Sequence, residues 1–219
     1  MSLNAALSLF LEEYAHAKES AFAGNAVADF IRRDVPAAIE QAIGPTDRYL
    51  VEGSPGQGVW AGVPWAAIFD RLVTDSAQDG YYLVYLIKED LTGIYLSLNQ
   101  GVTSIRAQYG AGAKEALRVR ASDFLARLGR VTDGLLLGPI DLATSSSSSF
   151  GAYYEQGAVC SIYYPCPALP SDESLSADLH RFLKLYFTLV SNEPRHFEQA
   201  DAEEDERDLG QEDLRCLRE

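Results

Sequence analysis

Residues 81–98 hold two strand-like runs, YYLVYLIK and GIYLSL, on either side of EDLT. Runs this rich in aromatic and β-branched side chains suit a pleated, packed surface, and the break at 89–92 reads as a hairpin turn. The chain is thereby committed to an antiparallel pair, and its other elements must pack on that pair. Strand alternation puts Tyr82, Val84 and Leu86 on one face and Tyr81, Leu83 and Tyr85 on the other. One of those faces has to be core.

The flanking segments supply the partners. Apolar residues at Leu7, Phe10, Leu11 and Tyr14 follow helical spacing within 3–20. A second helix is expected from an Asn25 cap to Ile43, ended by Gly44-Pro45, with Pro36 forcing a kink or two shorter helices. Residues 48–52 read as a short strand entering the loop Gly53-Ser54-Pro55-Gly56-Gln57-Gly58. Three glycines and a proline in six residues argue against a regular element there and allow close backbone approach to a ligand. Further strands are expected over 63–69, 135–142 and 158–164, and helices over 102–109, 113–128 and 172–190. The serine run within 144–149 reads as a flexible loop. The expected class is α+β, a mixed, largely antiparallel sheet flanked by helices.

Length and charge bound what such a domain can do. The 219 residues suffice for one sizeable core, giving a single domain over 1–197 and an acidic tail over 198–219. The tail holds ten acids and three arginines, so half of the net charge of −14 sits there and the body is still acidic. Non-specific phosphate affinity, which depends on Lys and Arg releasing counterions, should therefore be weak. No apolar run reaches the roughly 18 residues of a membrane span, and the N-terminus carries acids where a signal peptide carries Lys or Arg. A cytoplasmic location without a membrane partner is expected.

Catalytic and metal motifs are not found. The glycine loop lacks the Gly-Lys-Ser/Thr ending of a P-loop and is followed by a strand, which also excludes a dinucleotide fingerprint. No Gly-x-Ser-x-Gly elbow occurs and the serines have no nearby histidine. Cys160, Cys166 and Cys216 have no metal-ligand spacing, and His16, His180 and His196 lie far apart. Asp123, Asp133 and Asp141 are scattered, and the carboxylates over 203–206 read as a solvated charge run. Neither catalytic residues, nor a cofactor, nor a metal is expected. Trp60, Trp65 and the Tyr-dense strand beside the mobile loop suit gripping a planar group.

Taken together, GSPGQGVWAGVPWAAIFD, DGYYLVYLI and YLSLNQG resemble the McrB-like N-terminal domain, the DNA-binding module of modification-dependent restriction endonucleases. The motif set covers residues 49–101 and the similarity extends more weakly over 3–190. The resemblance implies an α/β domain that is itself no enzyme and that flips a modified cytosine, 5-methylcytosine or a related base, out of duplex DNA into an aromatic pocket. It carries the pocket walls onto Trp65, Tyr82 and Leu86. A further pocket tyrosine falls on Tyr154, with Tyr153 as the neighbouring choice.

Ser54, Pro55, Gly56, Gln57 and Gly58 become the loop entering DNA. Gln57 stands where the best-known relative has a tyrosine between glycines. Arg48, Lys88 and Arg106 are expected phosphate contacts, with Lys114, Arg118 and Arg120 behind them. The tail EEDERDLGQEDLRCLRE resembles the linker that in some relatives runs into an HNH nuclease. The expected partners are modified double-stranded DNA and a C-terminal nuclease or other effector domain. Two other functions stay open on the residues alone: a nucleotide or small-molecule sensor using the same pocket, and a protein-interaction module built on Trp60 and the Tyr-rich strand.

Overall fold

The computed structural model describes residues 1–129 and 134–192. The tail over 198–219, with Asp133, His196 and Cys216, lies outside the described residues. Those described form one α+β unit in which the sheet order is β1-β2-β3-β4-β6-β5. The strands are β1 (Tyr49–Gly56), β2 (Trp60–Asp70), β3 (Tyr81–Ile87), β4 (Gly93–Gln100), β5 (Leu136–Leu137) and β6 (Cys160–Pro165). Every neighbouring pair is antiparallel, so the sheet is not mixed among the described residues.

The helices are α1 (Leu3–Ala17), α2 (Ala26–Ile43), α3 (Thr103–Tyr109), α4 (Ala113–Leu128), α5 (Phe150–Gly157) and α6 (Asp172–Ser191). Side-chain oxygens of Ser2, Asn25, Ser149 and Ser171 cap α1, α2, α5 and α6, each accepting from an otherwise orphaned amide. Pro36 lies inside α2 without dividing it. Its missing amide forfeits one bond to the Arg32 carbonyl. The buried stripe Ala28, Ile31, Val35 and Ile39 offsets that loss by holding the helix against the sheet.

The hairpin of β3 and β4 is the centre of the molecule, in register from Tyr81 opposite Gln100 to Ile87 opposite Ile94. Every residue of both strands is buried. Tyr81, Leu83, Tyr85 and Ile87 face the larger core with α1, α2, α4 and α6. Tyr82, Val84 and Leu86 face a second core with Ala67, Phe69, Ile140, Leu142 and Ala158. Both faces are therefore interior. Each large aliphatic side chain so buried contributes about 1.5–3 kcal/mol before entropy is counted.

Three sequence expectations change. The strand expected over 48–52 continues through Gly53, Ser54 and Pro55 to Gly56, with a register shift between Ser54 and Gly56. Glycine permits this: a Cβ on Gly53 would sit 1.8 Å from the Ile31 carbonyl oxygen, so α2 crosses directly over the strand. The strand expected over 135–142 shrinks to Leu136–Leu137. Gly138 turns the chain at φ +77, and the segment then delivers Ile140 and Leu142 to the second core. The helix α5 lies where the sequence predicts none, because FGAYYEQG has glycines near both ends and weak intrinsic propensity. It is held by Ser149 and by packing.

The crossing at Gly53 gives a stability test. Gly53→Ala should force α2 off β1 and cost at least the ~1–3 kcal/mol typical of overpacking. A urea titration monitored by tryptophan fluorescence would measure it, and an unchanged midpoint would contradict the contact.

Candidate functional site

The site begins with the β1–β2 hairpin. Gly56 at φ +129 and Gly58 at φ +71 make the reversal, and Gln57 stands exposed between them. A Cβ on Gly56 would meet the Val59 carbonyl oxygen at 2.0 Å, so only glycine fits there. The bulge between Ser54 and Gly56 increases the local twist and re-aims the tip.

Tyr14 of α1 anchors this tip. Its hydroxyl lies 3.0 Å from the Pro55 carbonyl oxygen on β1 and 2.6 Å from that of Ala61 on β2, and can donate to either. Burial pushes this phenol's pKa up, so it remains a donor at neutral pH. Trp60 completes the anchor: its indole N–H donates to the Ser20 carbonyl at 2.9 Å, and its ring meets Tyr14 and Phe22 edge-on at 5.4 and 4.9 Å. Trp60 and Trp65 are an odd number of residues apart on one strand, so their side chains leave opposite faces. Trp60 belongs to the helix side and Trp65 to the other.

On that other side lies a cavity of about 660 Å³, whose aromatic walls include Trp65, Phe150 and Tyr154. Ser54, Gly56 and Gln57 border it from the hairpin, and Gln78, Glu89 and Thr103 add polar groups. Trp65 and Tyr154 pack side by side against the second core. Burial raises the Tyr154 pKa, opposed by the neighbouring Trp65 side chain and by the Arg106 charge, so it too stays protonated at neutral pH. Phe150 stacks on Tyr154 with ring centres 6.3 Å apart and planes 30° apart. Glu89 is engaged already, accepting from the Ser145 amide at 3.1 Å and its hydroxyl at 2.5 Å. The serine run is thus tied at its first residue by Glu89 and at its last by capping α5.

The residues singled out from sequence separate. Trp65, Tyr154, Ser54, Gly56 and Gln57 meet at the cavity, whereas Tyr82 and Leu86 lie in the core layer behind it. Leu86 is 2% exposed and pairs across the strands with Trp65, so it flanks the indole on the same face of the sheet. Tyr82 is 3% exposed, meets Phe69 edge-on at 5.2 Å, and its hydroxyl lies 3.2 Å from the Ala77 and 3.3 Å from the Gln100 carbonyl oxygens. Burial holds its pKa well above the usual phenol value. Pro55 is buried and Gly58 exposed, both within the hairpin.

Phe150, Gln78, Glu89 and Thr103 escape a reading of the sequence because they come from four separate places, two of them helix starts and two of them connections between strands. The Ser149 cap followed by two tyrosines is the available signal for α5, and so for Phe150.

The expected phosphate contacts also diverge. Arg48 is bound at 2.6 Å to fully buried Asp70, at the end of β1 away from the hairpin tip. Lys88 pairs with Asp90 at 3.4 Å and is 12% exposed. Arg118 is engaged by Glu115 and Gln156, and Arg120 lies over Phe124 at 5.9 Å. Arg106 and Lys114 lie beside the cavity's α5 wall, over the rings of Phe150 and Tyr153. Among the described residues no cluster of His, Cys, Asp or Glu could hold a metal ion. No helix there is long and apolar enough to cross a membrane.

A family model described as the MrcB-like N-terminal domain matches residues 10–191. No curated protein matches the chain.

The anchor can be tested without touching the cavity. Tyr14→Phe keeps the ring packing but deprives the Pro55 and Ala61 carbonyls of their shared donor. The expected loss is about 1–3 kcal/mol, with faster amide exchange across 56–61. Unchanged exchange there would show that the hairpin holds itself.

Proposed function

The chain belongs to the MrcB-like N-terminal domain family, and from that premise we propose that it is a DNA-recognition module that accepts a modified cytosine base in the cavity walled by Trp65 and Tyr154. The observation that carries this reading is the pairing of an aromatic-walled, 660 Å³ cavity with an anchored hairpin whose tip, Gln57, projects beside its mouth. Removing a base from the stack costs a few kcal/mol, and aromatic stacking returns about 1–3 kcal/mol per base. Trp65 and Tyr154 offer that surface. Gln57 fills the gap left in the duplex and hydrogen-bonds the unpaired partner base.

In this reading the chain does no chemistry, and cleavage belongs to an effector such as an HNH nuclease domain. The concave site at Trp65 disfavours the interaction-module alternative, since a docking surface for a protein would not need a concave aromatic pocket. A nucleotide or small-molecule sensor would use the same cavity, so the experiment must separate the two.

Fluorescence anisotropy should show tighter binding to duplexes carrying 5-methylcytosine or a bulkier cytosine modification than to plain duplex. Trp65→Ala should lower affinity for the preferred duplex roughly ten- to hundred-fold, the worth of one stacked ring, while retaining the fold. Equal affinity for modified and plain duplexes at every salt concentration would sink the reading. Competition by free nucleosides at concentrations far below those of duplex would favour the sensor.

A further inference from the structure

A second cavity, of about 370 Å³, adjoins the first and shares Thr103 and Phe150 with it. Arg106 lines it, with its guanidinium carbon 4.6 Å from the centre of the Phe150 ring and 4.5 Å from that of Tyr153. The Lys114 ammonium lies 5.3 Å from the same Tyr153 ring. Tyr154, Phe150, Arg106, Tyr153 and Lys114 therefore form a continuous row leading out of the base cavity.

The two cations of this row are open to an anion. Arg32, Arg33, Arg48, Lys88 and Arg118 each pair with a carboxylate. Arg106 and Lys114 form no such ion pair among the described residues, as is also true of Lys18, Arg71, Arg120 and Lys184, but Arg106 lines the second cavity and Lys114 lies against its Tyr153 wall. A guanidinium resting on aromatic faces keeps its N–H donors available at the edge and is partly ordered before any ligand arrives. Because ordering a long side chain is a main cost of binding through it, this arrangement favours an anion that approaches from the second cavity.

We propose that the second cavity is a phosphodiester subsite, in which Arg106 donates to the phosphate attached to the nucleotide whose base enters the first cavity. Phe150 is the shared wall, so base and phosphate would lie on its two sides, one sugar apart. Lys114 adds a second positive charge behind Tyr153. The inference rests on the DNA-recognition reading and goes beyond it by naming which cation, of the several available, reads the backbone and where.

The test uses the full chain and a duplex with one modified cytosine. A set of copies of that duplex each carries a single uncharged methylphosphonate in place of one phosphate. For Arg106→Gln, affinity should fall about ten-fold on the modified duplex and less on the plain one, whose cytosine is not held in the first cavity. The salt slope should shrink by about 0.9, the increment for one phosphate that is no longer neutralised. Arg106→Lys should recover part of the slope.

The decisive comparison is between protein and DNA substitutions. One methylphosphonate next to the modified nucleotide should weaken the wild type but cost Arg106→Gln nothing further. Duplex binding in which Arg106→Gln and every methylphosphonate add independently would overturn the subsite and leave the base reading intact. Arg106-dependent competition by a free deoxynucleoside 5′-monophosphate, without coupling in the duplex, would overturn the phosphodiester assignment. Failure to bind any duplex would overturn both.

Discussion

The hairpin of β3 and β4 has no solvent face, and the remaining architecture follows from covering it twice. On one side, α1, α2, α4 and α6 bring enough apolar surface to seal Tyr81, Leu83, Tyr85 and Ile87. On the other, the cover consists of the eight-residue α5 and an irregular segment carrying Ile140 and Leu142. This second layer stops at Phe150 and Tyr154, while β1 and β2 run on to their reversal at Gln57. The cavity is the space left where a long hairpin overhangs a short layer. Its position is thus a consequence of unequal cover on the two faces of one sheet.

That overhang would be a liability without Tyr14. Paired strands beyond a packed layer lose apolar support, and exposed hairpins are marginal alone. A buried hydroxyl shared by one carbonyl from each strand restores the connection to the helix layer, and Trp60 adds aromatic contacts on the same side. The hairpin is therefore fixed from its helix face, which leaves its opposite face free to border the cavity. The two tryptophans divide this labour because strand geometry sends them to opposite sides.

Much of this is legible in the residue pattern. The hairpin turn at 89–92, the Asn25 cap and the α4 and α6 periodicities follow from local chemistry, and local chemistry decides them. Composition misjudges residues 53–56 because it describes a glycine's freedom and not the helix that requires it; Gly53 is in a strand since α2 leaves no room for a side chain. Helix α5 is hidden for the same reason, its stability lying in packing on β2 and β4 and not in FGAYYEQG itself. At the site, alternation groups Tyr82 with Leu86 on one face of their strand, and the structure puts Trp65 on that face too. What alternation cannot give is depth: Ile140, Leu142 and Ala158, remote in sequence, cover that part of the face and leave Trp65 at its edge.

This depth alters how the proposed discrimination would have to work. A methyl group contributes only about 0.8 kcal/mol by burial, too little to select one cytosine unless it is closely enclosed. Tyr82 and Leu86 are sealed behind the wall and cannot enclose it by direct contact. They can act through the wall: Leu86 lies opposite Trp65 in the strand register, and Tyr82 fixes the floor through Phe69 and the Ala77 and Gln100 carbonyls. Selectivity would then depend on how rigidly Trp65 and Tyr154 are held, since a wall that yields encloses every base equally. The contacts best placed to supply that rigidity are Leu86, paired across the strands with Trp65, and Phe150, stacked on Tyr154.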